Sequence, residues 1–418
     1  MKSSDNSMQY FDNLRLSFLE KVVDAYQSLE SGQSNQVLLT FWGNKGIGKT
    51  TLLLKIVRHL TINFAVSPIF IDMNSDSFDE VKVAVDKAIE NLDQEKHSVV
   101  LFDNIDVLLR TPAGGAEFFE FEHNIILPLI ERRDVLIVTS SQIEINQWRE
   151  DDVQISQSSY HLPAFHREDV LQMFSESGLD AETAYDFTLG QPAAVQWLLE
   201  NPNYGKEEIA QKAFHYFLEG IPETAIKIAE IISVLPIFNG FVLKEIISQD
   251  NKASVEYMDV LEWLKEYIRR GLVYWDVEIG SYRFTDSAVR RLLARYFAYQ
   301  QSNKFYARHE FAMQYFQAEA RSPGYLHMHL PSAIYHYAQI LTLQGKSVKE
   351  VGKNCMQWIQ SNLNAWLSAR WDEVLENWKN GLGEQAIRDE IIEMIGKATF
   401  DTITSELEAV KRKMEVTQ

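Results

Sequence analysis

Residues 43–51 read GNKGIGKTT, and no other stretch restricts the fold of this chain so tightly. The apolar run VLLTFW at 37–42 precedes it, and LLLKIV at 52–57 follows it. Strand, glycine loop and helix in that order make a phosphate-binding loop. Gly43, Gly46 and Gly48 let the backbone curl so that successive N–H groups point inward, and the helix start adds the positive end of its dipole. Lys49 brings a cation to the β- and γ-phosphates, and the Thr50 hydroxyl suits Mg2+. The expected nucleotide contacts are therefore Gly43, Asn44, Lys45, Gly46, Ile47, Gly48, Lys49, Thr50 and Thr51. The expected ligand is ATP or ADP with Mg2+.

Such a loop holds only half of a metal site. A carboxylate at the end of a neighbouring strand is the second requirement, and VVLFD at 99–103 supplies it through Asp103. The next position, where many such enzymes keep an acid to polarise the attacking water, is Asn104. Asparagine cannot accept a proton, so either Asp106 substitutes or hydrolysis is slow. Lys49, Asp103 and Asp106 are thus the candidate catalytic residues, and Thr50 with Asp103 the candidate Mg2+ ligands. Downstream, VTSSQ at 138–142 ends another strand; Thr139 and Ser140 either sense the γ-phosphate or begin a loop.

Short β-rich runs at 37–42, 68–73, 98–102, 135–139 and 160–162 alternate with amphipathic stretches at 78–92 and 117–131. That alternation predicts an α/β P-loop NTPase with a parallel sheet covered by helices. Four segments are expected: a nucleotide-binding domain over 1–165, a helical lid over 166–205, a winged helix over 206–300 and an all-α, TPR-like region over 301–418. The winged-helix expectation rests on helical segments followed by two short strands around a turn at 278–280. Breaks in the last region are expected at 322–324, 344–346 and 380–383.

With 418 residues and a formal net charge of -19, the chain repels phosphate backbones, which disfavours gripping DNA as its main task. Cys355 is the only cysteine, so no internal disulfide forms and a reducing compartment is expected. The N-terminal residues are polar, without the apolar core of a signal peptide. No apolar run approaches the roughly 20 residues of a membrane span. A cytoplasmic protein without membrane contact is the expectation.

The motif order continues beyond the P-loop and the two polar-ended strands. Trp148 is followed by LPAF at 162–165 and REDV at 167–170, and then by FTLGQPAA at 187–194. In this order the chain resembles STAND ATPases, the AAA+-related signal-transduction ATPases that include NB-ARC switches. The resemblance spans roughly residues 9 to 300 and implies that Pro192, of the Gly-x-Pro element at 190–192, packs near the adenine. It extends to the segment 271–290, where Phe284-Thr285-Asp286 keeps the family's aspartate but lacks its diphosphate-sensing histidine. The strand-four arginine of many members is also missing, and Phe11 to Phe18 stands where members carry an entry motif.

What the resemblance implies is an ATP-binding signalling switch, with slow hydrolysis or exchange coupled to domain rearrangement, in bacterial defence or regulation. Members usually place an effector domain before the switch. None fits ahead of this P-loop, so output is expected in trans, through a protein partner or by homo-oligomer assembly. Two alternatives stay open. One is a DNA-linked ATPase of origin-recognition or transcription-regulator type using the winged helix, with nucleic acid disfavoured but not excluded. The other is a structural interaction protein with permanently bound ATP. His327, His329 and His336 lack the spacing of a metal set, and Trp358, Trp366, Trp371 and Trp378 read as repeat core.

Overall fold

The computed structural model describes residues 15–32, 36–74, 78–92, 98–110, 115–175, 179–251, 257–366 and 369–417. The entry-motif expectation lies partly outside them, at residues 11–14. Two compact units are present: Met1–Ile209 with Tyr267–Leu272, and Ala210–Glu266 with Val273–Gln418.

The first unit is built on a five-stranded parallel sheet in the order β2-β3-β4-β1-β5. Its strands are β1 (Leu38–Trp42), β2 (Ile69–Asp72), β3 (Ser98–Asp103), β4 (Val135–Ser141) and β5 (Gln157–His161). Helices Leu16–Glu30, Lys49–Phe64 and Phe78–Leu92 are among those that flank it. The central strands β3 and β4 are buried at every residue, as expected of strands covered on both faces. This is the P-loop NTPase fold of AAA+ type, here followed by a helical C-terminal region. β5 begins at Gln157, earlier than its apolar content suggests. It is an edge strand, and its first residues (Gln157, Ser158 and Ser159) pair with β1 without being apolar.

The helical stretch expected over 117–131 is present, with a π-helical turn inside it. Gly115–Phe121 runs into a π-helical turn, Glu122–Ile126, and then into Leu127–Arg132. The turn sets the buried Glu122 carboxylate where it accepts the amides of Arg149 at 2.7 Å and Glu150 at 2.9 Å. These bonds brace the entry to helix Asp151–Ser156.

In the second unit, helices Glu223–Ile232, Gly240–Asn251 and Tyr257–Arg269, the last only in part, precede an antiparallel hairpin. Its strands are β6 (Val273–Asp276) and β7 (Ser281–Phe284), and Phe238 pairs with Tyr282 as a one-residue third strand. Helices Ser287–Gln300, Ser302–Glu319, Leu326–Leu343, Val348–Asn362, Trp371–Asn380, Gln385–Ile395 and Lys397–Thr417 follow, interrupted near the anticipated breaks. Trp366, Trp371 and Trp378 are buried in one apolar cluster with Cys355, and Trp358 packs against it half-buried. Burial pushes the Cys355 thiol up to about 12, which keeps it protonated and unreactive.

A buried polar triangle ties the hairpin-following helix to the C-terminal helices. Arg290 pairs with Glu390, Arg290 also donates to the Tyr335 hydroxyl at 3.1 Å, and that hydroxyl donates to Glu390 at 3.1 Å. Burial alone would raise the Glu390 carboxyl, but Arg290 and Arg291 outweigh it and hold it below its ordinary range. At the hairpin, Arg283 pairs with Asp276 and donates to the Leu382 carbonyl at 3.1 Å. Hairpin and C-terminal helices therefore share one unit, although their sequence textures differ.

Candidate nucleotide site

The glycine loop runs from the end of β1 into helix Lys49–Phe64, whose N-cap is Gly48 at φ 94°. Gly46 is also left-handed, at φ 77°. Both positions take the conformation that a Cβ disfavours, so the motif's glycines here are required by backbone geometry. The Lys49 ammonium is buried and folds over the loop, donating to the carbonyls of Gly43 at 2.7 Å and Asn44 at 3.1 Å. Asn44 is also buried, and neither atom of its carboxamide has a hydrogen-bond partner among the described residues. Ile47 is buried, Lys45 half-buried, and Thr50 and Thr51 lie on the exposed side.

Asp103 ends β3 beside this loop and is fully buried. Its Oδ2 accepts from Thr50 Oγ1 at 2.6 Å, and its Oδ1 accepts from Ser140 Oγ. Two hard oxygen donors next to an unsatisfied buried amide fit a Mg2+–nucleotide, because that ion takes few protein oxygens and keeps water and phosphate oxygens. Of the two strand-four candidates, Ser140 is therefore engaged with Asp103. Thr139 points to the opposite face, as alternation in a strand requires. It donates to Thr40 Oγ1 at 2.8 Å, and Thr40 in turn accepts from Gln157 at 3.0 Å. Both residues lie within β4 and do not begin a loop.

After Asp103 the chain is zipped onto the end of β4. The Asn104 amide donates to Ser140 Oγ at 2.9 Å, and the Ile105 amide to the Ser140 carbonyl at 2.9 Å. Asp106 is fully buried, and its Oδ1 accepts from the Gln142 amide at 2.8 Å. Asn104 itself is left-handed, at φ 62°, a conformation asparagine tolerates better than most residues. Its side-chain amide donates to Asp72 Oδ1, at the end of β2, at 3.2 Å.

Asp72 and Arg15 are the residues that motif reading passed over. Asp72 ends an apolar run, IFID, just as Asp103 ends VVLFD, so the signal was there. Arg15 donates to the Pro163 and Ile47 carbonyls and lies 5.2 Å from the Phe165 ring centre. It thus joins the N-terminal helix to the P-loop and to the strand-five exit; only its place within the expected entry motif at 11–18 hinted at this.

The Gly-x-Pro element is assembled by close backbone approach. Gly190 (φ 74°) lies so near Phe165 that a Cβ there would meet the Phe165 carbonyl oxygen at 2.2 Å. The Phe165 amide donates to the Gly190 carbonyl at 2.8 Å. Gln191 then caps helix Pro192–Glu200 by accepting from the Ala194 amide, with Pro192 buried at its first position. In the second unit Asp286 is likewise an N-cap, accepting from the Ala288 amide at 2.8 Å. No helix among the described residues is long and apolar enough to cross a membrane.

Comparison with known proteins agrees with the P-loop geometry. Residues 39–144 match the model of the ATPase family associated with various cellular activities (AAA). No curated protein matches the chain. Among solved structures it is similar to the ORC2 protein of Aeropyrum pernix in ADPNP–ADP complexes, at 14% identity and TM-score 0.42, over 71% of this chain and 94% of that one. It is also similar to the Aeropyrum pernix ORC1 protein in complex with DNA, at 15% identity and TM-score 0.37, over 71% and 94%. A chain of the E. coli MS115-1 HORMA:CdnC:Trip13 complex matches at 13% identity and TM-score 0.35, over 53% and 87%. From the family match and the strand–loop–helix site together, residues 39–144 carry an AAA-family ATPase domain.

Proposed function

We propose that the chain is an ATP-binding signalling switch of the STAND class, in which slow ATP hydrolysis or exchange drives domain rearrangement and assembly with a partner or with itself. The observation that carries this reading is the Thr50–Asp103–Ser140 chain beside a glycine cradle that ends in a buried lysine. The amides of residues 43–51 and the Lys49 ammonium hold the phosphates. Thr50 and Asp103 hold Mg2+, which neutralises phosphate charge when bound. Pro192 contacts the base, supported by the way Gly190 and Phe165 lock its helix start in place. Asp106 acts as a brace for the β3–β4 ends rather than as a base, because its carboxylate is enclosed and occupied.

The four-segment organisation, with a winged helix over 206–300 and a TPR-like region over 301–418, belongs to the same reading. So do a cytoplasmic location and a role in defence or regulation. The DNA-linked alternative finds little electrostatic support at the hairpin. Its turn, residues 276–280, reads DVEIG, with Val277 largely exposed and no cation to meet a phosphate. Single-turnover assays with labelled ATP test the proposal on the purified chain: the switch predicts slow turnover and nucleotide exchange. A permanently held ATP would show neither, and salt-sensitive, nanomolar duplex binding would favour the DNA-linked reading.

A further inference from the structure

We propose that the carboxylate which takes the proton from the attacking water is Asp72, presented from the end of β2 and oriented by Asn104. This rests on the nucleotide reading above and deepens it. The position after Asp103 holds an amide, which cannot serve as a base. The structure shows what that amide does. Asn104 Nδ2 donates to Asp72 Oδ1 at 3.2 Å, and the register of the parallel sheet sets Asp72 directly beside Asp103. An acid and an amide are thus paired across two adjacent strand ends, with the acid on the outer strand.

The pair is held in place. Asn104 is fixed in its left-handed conformation by the bond from its backbone amide to Ser140 Oγ, the same hydroxyl that binds Asp103. Asp72 Oδ1 also accepts the Asn74 amide at 3.0 Å. Both bonds use the same oxygen, leaving Oδ2 with no hydrogen-bond partner among the described residues, on a half-buried side chain. The other acids near the strand ends are committed: Asp103 to Thr50 and Ser140, and Asp106 to the Gln142 amide. A turn-capping role accounts for the bond from the Asn74 amide. It does not account for the bond from Asn104 to the same oxygen.

In the reaction, the water oxygen forms a bond to the γ-phosphorus while the bond from that phosphorus to the β–γ bridging oxygen breaks and ADP leaves. The water proton passes to Asp72 and from there to solvent or to the phosphate released. Asn104 keeps Asp72 oriented and carries no proton itself.

The test compares the full-length chain with Asp72→Asn and with the exchange variant Asp72→Asn/Asn104→Asp. Asp72→Asn keeps the Asn74 turn contact and should leave calorimetric ATP affinity with Mg2+ within about threefold. Hydrolysis should fall by about a hundredfold or more, the range general-base removal gives. After a single-turnover incubation the variant should still hold ATP where the wild type has converted it to ADP. The exchange variant restores one acid and one amide to the two strand ends, and should recover at least about a tenth of the wild-type rate. Hydrolysis by Asp72→Asn within about threefold of wild type overturns the assignment while leaving the nucleotide reading intact. So does an exchange variant that binds ATP normally yet stays as slow as the single variant. A wild-type chain that binds no ATP removes the nucleotide reading itself, and this assignment with it.

Discussion

Thr50 Oγ1 donates to Asp103 Oδ2 across 2.6 Å, although 53 residues separate them in the chain. One lies in the first turn of the helix after the glycine loop and the other closes β3, so the sheet and the P-loop turn together bring them into contact. If these two oxygens receive Mg2+, Thr50→Val removes one donor without disturbing the phosphate amides. ATP affinity should then lose most of its Mg2+ dependence, from roughly tenfold or more to less than about threefold, with Mg2+-free affinity nearly unchanged. Calorimetry with and without EDTA reads this directly.

Asp106 is expected to matter for stability more than for turnover. Asp106→Asn weakens the bond to the Gln142 amide inside a closed pocket, a change worth about 1–3 kcal/mol. Thermal melting should drop by a few degrees. Single-turnover hydrolysis per folded molecule should change far less than in Asp72→Asn, and an equal loss in both variants would contradict the brace.

Gly190→Ala meets two obstacles at once. The backbone there is left-handed, and the new methyl would approach the Phe165 carbonyl oxygen at 2.2 Å, a backbone atom that cannot swing aside. A loss of roughly 2–4 kcal/mol follows from strain plus displacement. Melting should fall by at least about 5 °C, with ATP affinity reduced through the shifted start of the Pro192 helix.

Acid should weaken the second unit through its buried histidines. His309 and His336 face each other with their Nδ1 atoms 2.9 Å apart. Burial, with the Arg290 charge, lowers His309 to about 3; burial, with His309 and Arg290, lowers His336 well below 6.5; burial, with His327, lowers His329 to about 4. Because these folded values lie below 6.5, the unfolded chain takes up protons first. The stabilisation is complete above about pH 6.5 and drains away as pH falls toward 3–4, by up to about 1.4 kcal/mol per pH unit for each histidine. Melting temperature should therefore decline between pH 7 and 5, and His309→Gln should flatten that decline.

Much of the site was legible from local pattern. The P-loop declares itself because its glycines, lysine and threonine act within a few residues of one another, and strand ends such as Asp103 follow from apolar runs. What escaped detection depends on register and on distant partners. Asp72 gains meaning only when β2 is laid beside β3, and Asn104 only when its left-handed turn aims it back at β2. The edge strand β5 hid its start because its polar residues break the apolar rule. Arg290 and Glu390 are 100 residues apart, so no spacing argument could join the hairpin region to the C-terminal helices. The π-helical turn at Glu122 likewise answers to a tertiary demand, the capping of residues 149 and 150.

The central claim is that the buried Lys49 and the amides around it grip a triphosphate. Isothermal calorimetry of ATP with Mg2+ against the wild-type chain and Lys49→Ala measures this most directly. The account predicts saturable binding to the wild type and an affinity at least about a hundredfold weaker in Lys49→Ala, with the two proteins equally folded by circular dichroism. Equal affinities, or no heat from the folded wild type with any adenine or guanine nucleotide, would contradict it.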